Sequence, residues 1–480
     1  MSLPHKMEVI SPDLFSQIHE SSLKILKETG VRFHHDEALN IFKKHGAKVD
    51  GHIVRFPKNL VEEKLKTVPS TFKWQARNDR HSVVVGDGFL VQPIAGPVHI
   101  QDLDRGRRKG TLEDIANIQK IYQSGEVYDL VGMIACEPSD VQQEEKHLHL
   151  MYQILRNTDK PVNGFMTYGH HARAQLDMME IAMGGKQILQ NNHCIAVSIS
   201  ATTPLTYTQE ALETLLQYVK RNQIATIISL ATAGTTAPLS LLGSAVVQNA
   251  EMLAGIVLTQ LINPGNPAVY CPSATTANLM TGDYTTGTPE GMLINIGNLQ
   301  MALDYYHFPT RSMPGCTDSK TVDYQAGYET MQNLMMGMLS GSHILNESVG
   351  VLDNILTCSY EKTIIDGELI ARNKRIWKGI EGSDKNLSID LIQEIGPGGT
   401  YLTHPVTLEH CRERWFPKVS YWGTYEDWVH GGSDDVVMRA NKKYKQILRD
   451  APASLIDDEL DRELKAYMDS ELKRIRAGTL

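Results

Sequence analysis

Hydrophobic positions along this chain fall into two regimes. Over residues 1–87 they follow helical spacing. Leu14, Ile18, Ile25 and Leu26 recur on one face after a Ser11-Pro12-Asp13 start, where a capping residue precedes a proline that needs no N–H. Gly30 is placed to end that helix in the left-handed conformation. A second helix is predicted over residues 36–44, a short strand over 52–56, and a third helix from Pro57. From about residue 88 the pattern changes to a short apolar run, a small or polar loop, then an amphipathic helix. The runs cover 89–94, 128–136, 162–167, 194–200, 225–231, 268–273, 308–313 and 343–347. Helices are predicted after the first seven, over 112–123, 144–156, 171–183, 209–221, 244–262, 289–306 and 325–339. Thr111-Leu-Glu-Asp114 gives the first of these a capping box. The segment after the eighth run reads as less regular.

Alternating strands and helices imply parallel strands, because a right-handed crossover returns the chain to the same end of the sheet. Eight such units predict an α/β fold of the (β/α)8 TIM-barrel kind, with an open doubly wound sheet as the other arrangement. The expected organisation is an N-terminal helical annex (1–87), the barrel (88–395) and a C-terminal helical extension (396–480) packed on the barrel or a neighbouring subunit. No GxGxxG follows a strand and no GxxxxGK[ST] occurs, so nucleotide binding gains no support.

Charge and cysteine usage narrow the function classes. The net charge of −9 argues against nucleic acid or an anionic membrane as a partner. The basic run Arg105-Gly-Arg-Arg-Lys109 reads as a solvated turn. No secretory pattern opens the sequence, and the apolar run 252–262 is too short to span a bilayer, so a cytoplasmic protein is expected. The six cysteines form no CxxC pair and no zinc-finger spacing with histidine, which predicts reduced, mostly buried thiols.

Chemistry in such a fold sits at the C-terminal ends of the strands. Alternation directs Asn163, Phe165 and Thr167 inward in the third run, and Ser198 and Ser200 in the fourth. The loops beyond are rich in Thr, Ser, Ala and Gly, and few acids or bases stand there: Glu137, Arg311, His343 and Glu347. Such a mouth suits a reaction in which the protein mainly positions its substrate. Arg311 could clamp a carboxylate, or form a structural ion pair with Glu137 or Glu347. His343 could assist anion binding or be a satisfied core histidine. Phe165, Tyr168, Tyr207 and Tyr270 could turn ring faces to a methylated ammonium or simply pack the core. The pairs His147/His149 and His170/His171 give only a weak suggestion of metal, and none is assigned.

Three segments carry a family resemblance: Pro314-Gly-Cys-Thr-Asp-Ser-Lys-Thr-Val-Asp-Tyr-Gln-Ala-Gly-Tyr-Glu329, Gly398-Gly-Thr-Tyr-Leu402 with the following Thr-His-Pro, and His410-Cys-Arg-Glu-Arg-Trp-Phe-Pro417. They resemble the trimethylamine methyltransferase family, and the resemblance extends over nearly the whole chain. It implies a (β/α)8 barrel, a homo-oligomer, and methyl transfer to Co(I) of a separate cognate corrinoid protein, with no tightly bound cofactor of its own. Founding members carry pyrrolysine; this chain holds only standard residues, so no catalytic residue is carried over and the register of that position stays open. Members without pyrrolysine resemble glycine betaine methyltransferases, with proline betaine, carnitine and γ-butyrobetaine as variants. A quaternary ammonium already carries its charge and leaves as a neutral amine, which agrees with a mouth poor in acids and bases. The expected substrate contacts are Arg311 on the carboxylate with His343 as second donor, Phe165 and Tyr207 beside the methylammonium, and Asn163 and Glu347 along the wall. A non-catalytic betaine-binding protein, or an enzyme for another amine, would share this pocket.

Overall fold

The computed structural model describes residues 6–132 and 134–478. The expectations that touch residues 1–5, Met133 in the second run, and 479–480 lie outside the described residues. The chain is mixed α/β. Eight short strands coincide with the eight apolar runs: β1 (Leu90–Val91), β2 (Val131–Gly132), β3 (Val162–Asn163), β4 (Ile195–Ala201), β5 (Ile224–Ser229), β6 (Ala268–Pro272), β7 (Arg311–Ser312) and β8 (Ile344–Leu345). Strands β6, β5, β4, β3 and β2 pair in that order, all parallel. Strands β7, β8 and β1 form a second parallel set. A parallel bridge from Tyr270 to Thr310 joins β6 to β7. The Leu130 N–H donates to the Val91 carbonyl at 3.0 Å and joins β2 to β1.

Helices α1 (Leu112–Ser124), α2 (Lys146–Asn157), α3 (Gly169–Ala182), α4 (Gln209–Lys220), α5 (Leu241–Ile262), α6 (Pro289–Gln300) and α7 (Tyr324–Leu339) connect these strands. The capping box at Thr111 and Asp114 is present. An eighth helix, α8 (Tyr360–Trp377), follows β8 and corrects the expectation of irregular structure there. Its first turns bury Glu361, Lys362 and Asp366, so charged residues mask an inward face that the sequence pattern reads as polar. Helix α5 is long and apolar enough to cross a membrane by length and composition, and 72% of its apolar window is buried inside the molecule.

The N-terminal segment is not purely helical. Helices Asp13–Lys24, Asp36–Lys44 and Lys58–Leu65 accompany strands Val31–Phe33, Lys48–Asp50 and Ile53–Arg55, and Thr206–Tyr207 pairs with the first of these. Gly30 ends the first helical segment with φ +81° and ψ 179°, an extended positive-φ conformation rather than the left-handed helical one expected. The antiparallel strands Phe72–Trp74 and Val83–Val85 bring Phe72, Trp74 and Val85 under the parallel strands. There they join Leu90, Leu130, Ala196, Ile224, Val269 and Ile344 in one apolar cluster. That cluster fills the interior at the N-terminal ends of the strands, so the interior can open only toward the C-terminal ends.

The basic run is ion-paired rather than free. Arg108 bonds both oxygens of Asp114 at 2.6 and 2.7 Å, and Arg107 reaches Asp353 at 3.0 Å. The last two helices pack on the same chain: Tyr444 of Val436–Asp450 stacks on Tyr360 at 4.9 Å, and Arg476 of Asp458–Arg476 pairs with Glu145 at 2.8 Å. All six cysteines are free; five are buried and Cys411 is exposed.

Candidate active site

The apolar floor fixes which side chains stand above it. Two residues beyond Leu90, Ala196, Ile224, Val269 and Ile344 come Gln92, Ser198, Thr226, Cys271 and Asn346, on the same inner face by strand alternation. Register adds Asn163, paired with Ala196, and Arg311, paired with Ile344. An apolar layer is thus followed by a layer of amides, hydroxyls and one guanidinium.

Arg311 reaches across this layer. Its Nη1 donates to Ser198 Oγ on β4 at 2.7 Å, although β5 and β6 lie between the two strands. The residue is 1% exposed and its Nε has no partner. Neither ion pair open to it in the sequence forms within 4.0 Å: Glu137 pairs with Lys146, and Glu347 accepts from Ala95 N–H at 2.9 Å and from Asn346 Nδ2 at 3.1 Å. Glu347 is buried at a φ of +51°, and Gly315 lies so close that a Cβ there would sit 1.9 Å from the Glu347 carbonyl. Burial pushes the Glu347 carboxyl up to about 7, against the opposing pull of the Ala95 N–H, Arg311 and Asn346.

Other polar atoms in the layer also lack partners: both side-chain heteroatoms of Gln92, Asn163 Oδ1 and Asn346 Oδ1. Buried polar groups are normally satisfied, because leaving one bare costs about 1–3 kcal/mol. Several of them converging on one interior, beside a cation without an acidic partner, describe a surface shaped for a polar guest. Phe165, partly buried above Asn163, adds a ring that touches both halves of the core. Toward the ends of β6 and β7 lies a narrow cavity of about 20 Å³ lined in part by Ser273, Tyr284, Met313 and Cys316.

Of the six residues expected to touch substrate, Arg311 and Glu347 sense one another electrostatically, and register and alternation set Asn163 and Phe165 on the inner face of the same strands. Two lie elsewhere. His343 precedes β8 and so stands at the N-terminal end of that strand. Its Nδ1 faces the Thr310 N–H at 3.1 Å, and burial lowers it to about 4, leaving the ring neutral. Tyr207 is fully buried outside the strand interior, stacked on Phe33 at 5.1 Å with its hydroxyl donating to the Glu251 carbonyl. Tyr270 likewise points away, its hydroxyl donating to Asn249. Gln92 and Asn346 were missed by sequence reasoning; a lone amide inside each apolar run was the available signal.

The motif 314–329 forms a brace around the mouth. Asp318 accepts from Thr286 N–H at 2.9 Å and Gly287 N–H at 3.1 Å, holding the loop before α6. Glu329 accepts from Thr317 Oγ1 at 2.6 Å and Asp318 N–H at 2.9 Å. Asn354 N–H donates to the Thr317 carbonyl, tying in the loop before α8. The histidine pairs do meet: His147 stacks on His171 at 3.9 Å and His170 lies 4.1 Å from His171. Burial holds His147 at about 3 and His171 at about 4. Among the described residues, the acidic and imidazole groups with metal-ligand spacing are His19, Glu20 and Glu62, where Lys58 already lies 2.6 Å from Glu20.

Comparison with known proteins agrees with this architecture. The trimethylamine methyltransferase family pattern matches residues 2–475. The glycine betaine methyltransferase of Desulfitobacterium hafniense (strain Y51) is 35% identical over 98% of each chain. The proline betaine:corrinoid methyltransferase of Eubacterium limosum is 33% identical over 84% of each. The monomethylamine methyltransferase of Methanosarcina barkeri superposes with a TM-score of 0.56 at 12% identity, over 92% of this chain and 88% of that one, a likeness of fold. On the extent of these matches, the chain belongs to the trimethylamine methyltransferase family.

Proposed function

We propose that this protein is a cytoplasmic enzyme that moves a methyl group from glycine betaine to Co(I) of a cognate corrinoid protein, releasing dimethylglycine, and that its eight strands close into one (β/α)8 barrel. The observation that carries the reading is the buried Arg311 guanidinium, free among the described residues of any acidic partner within 4.0 Å and set in a layer of amides with open hydrogen-bonding atoms. A substrate carboxylate would satisfy it. The relatives named for glycine betaine and proline betaine support a quaternary amine that also bears a carboxylate. Phe165 would border the methyl groups, and Asn163 and Gln92 would fix the orientation of the molecule.

In the transfer, the Co(I) electron pair forms the new bond to the methyl carbon, and the pair of the broken C–N bond stays on nitrogen. No proton is needed for departure, so alignment of nitrogen, carbon and cobalt is the protein's main contribution. The corrinoid enters as a co-substrate on its own protein. A homo-oligomer is part of the reading: Ile380, Leu402, Phe416, Trp422 and Tyr425 are all more than half exposed on a stretch whose short helices bury nothing.

The test is loss of Co(I) absorbance when a reduced corrinoid acceptor meets the enzyme and a panel of amines. Dimethylglycine formed from glycine betaine supports the assignment. Turnover of another betaine alone would move the substrate and keep the chemistry. Binding without turnover would favour a betaine-binding protein.

A further inference from the structure

The interior holds a second charged group whose role the carboxylate clamp does not explain. Glu347 is 2% exposed, fixed by the Ala95 N–H and Asn346, and among the described residues has no cation within ion-pair distance. A buried carboxyl in that position favours its neutral form until a cation arrives. The neighbouring side chains agree with this. Asn346 donates to Glu347 Oε1 through Nδ2 while its own Oδ1 has no partner. Turning the amide over would let it accept a proton from a neutral Glu347, so one contact serves both states.

We propose that Glu347 is the counter-charge for the substrate's ammonium, giving up its proton to solvent when the quaternary amine enters and taking one back after the methyl group leaves. The idea rests on the betaine reading above. Arg311 and Glu347 would then form a dipolar site matched to a zwitterion, with the guanidinium on the carboxylate and the glutamate on the ammonium.

The groups that sense Glu347 from the elements packed on it are Arg311, Cys271, Cys316, Cys358, Tyr122 and Tyr284. Burial raises the thiols and phenols, so they stay protonated near neutral pH and Arg311 is the one charged neighbour in the set.

Calorimetry of the whole protein with glycine betaine, run in buffers of different ionisation enthalpy, decides the matter. At pH 6 about one proton should be released per betaine bound, and affinity should weaken about tenfold per unit as pH falls from 6 to 5. Glu347→Gln should bind with no proton release and a flat pH dependence. The neutral isostere 3,3-dimethylbutyrate, which keeps the carboxylate and lacks the ammonium, should release no proton from the unaltered enzyme. Betaine binding without proton release, or a pH slope that survives in Glu347→Gln, would overturn this proposal alone. Failure of betaine to bind at all would overturn the substrate reading and this proposal with it.

Discussion

Arg311 and Glu347 show how position along a strand decides chemistry. Each is almost fully buried beyond the apolar floor, where the interior is dry enough to raise the energetic value of a charge. Arg311→Ala should raise the apparent KM for glycine betaine by about 10–100-fold, the range expected for a lost charge-assisted hydrogen bond. Steady-state kinetics would show it, and an unchanged KM would remove the carboxylate clamp. Arg311→Lys should recover little, since a lysine cannot present a planar fork. Glu347 also leaves a signature in stability. Its carboxyl is raised to about 7 in the folded protein, so its neutral form favours folding below the unfolded carboxylate range, and that contribution is lost as pH rises toward and through 7. Glu347→Gln should therefore gain melting temperature relative to the parent at pH 8 more than at pH 5. His343 and Tyr207 teach a different lesson. Each sits in a segment that reads as a strand end, yet His343 opens its strand and Tyr207 follows a turn beyond its own, and sequence spacing alone does not separate one end of a short run from the other.

At the scale of elements, the eight strands and seven of the helices were legible because parallel strands buried on both faces read as short apolar runs between amphipathic helices. Helix α8 was not, because its buried face is ionic. Lys362 Nζ bonds Asp366 at 2.7 Å and Thr330 at 2.9 Å, and Asp366 accepts the Gly350 N–H. Lys362→Met should leave Asp366 buried without its cation and destabilise the fold by roughly 3–5 kcal/mol, visible in thermal or denaturant unfolding. The motif around Asp318 reads in sequence as a family mark; in the structure its carboxylates hold loops. Asp318→Ala should loosen the loop before α6, raising KM and hastening proteolysis near residues 278–283 while Arg311 stays in place. Equal cleavage rates would show that the loop holds itself.

The whole molecule joins an apolar floor, a polar middle layer and a braced mouth in one interior. Much of this order comes from alternation along eight short strands, which is why Asn163 and Phe165 could be directed inward from sequence and Arg311 assigned to a strand end. The N-terminal strands that seal the floor, and the amides Gln92 and Asn346, were not placed, because neither a two-stranded plug nor a single amide in an apolar run carries a distinctive period. The central claim is that this interior presents glycine betaine to a corrinoid. The most direct measurement is the ratio of dimethylglycine formed to Co(I) consumed in a single anaerobic reaction with glycine betaine. The account predicts one dimethylglycine for each Co(I) methylated, with the rate greatly reduced in Arg311→Ala. Co(I) that persists in the presence of glycine betaine and a competent corrinoid protein would contradict it.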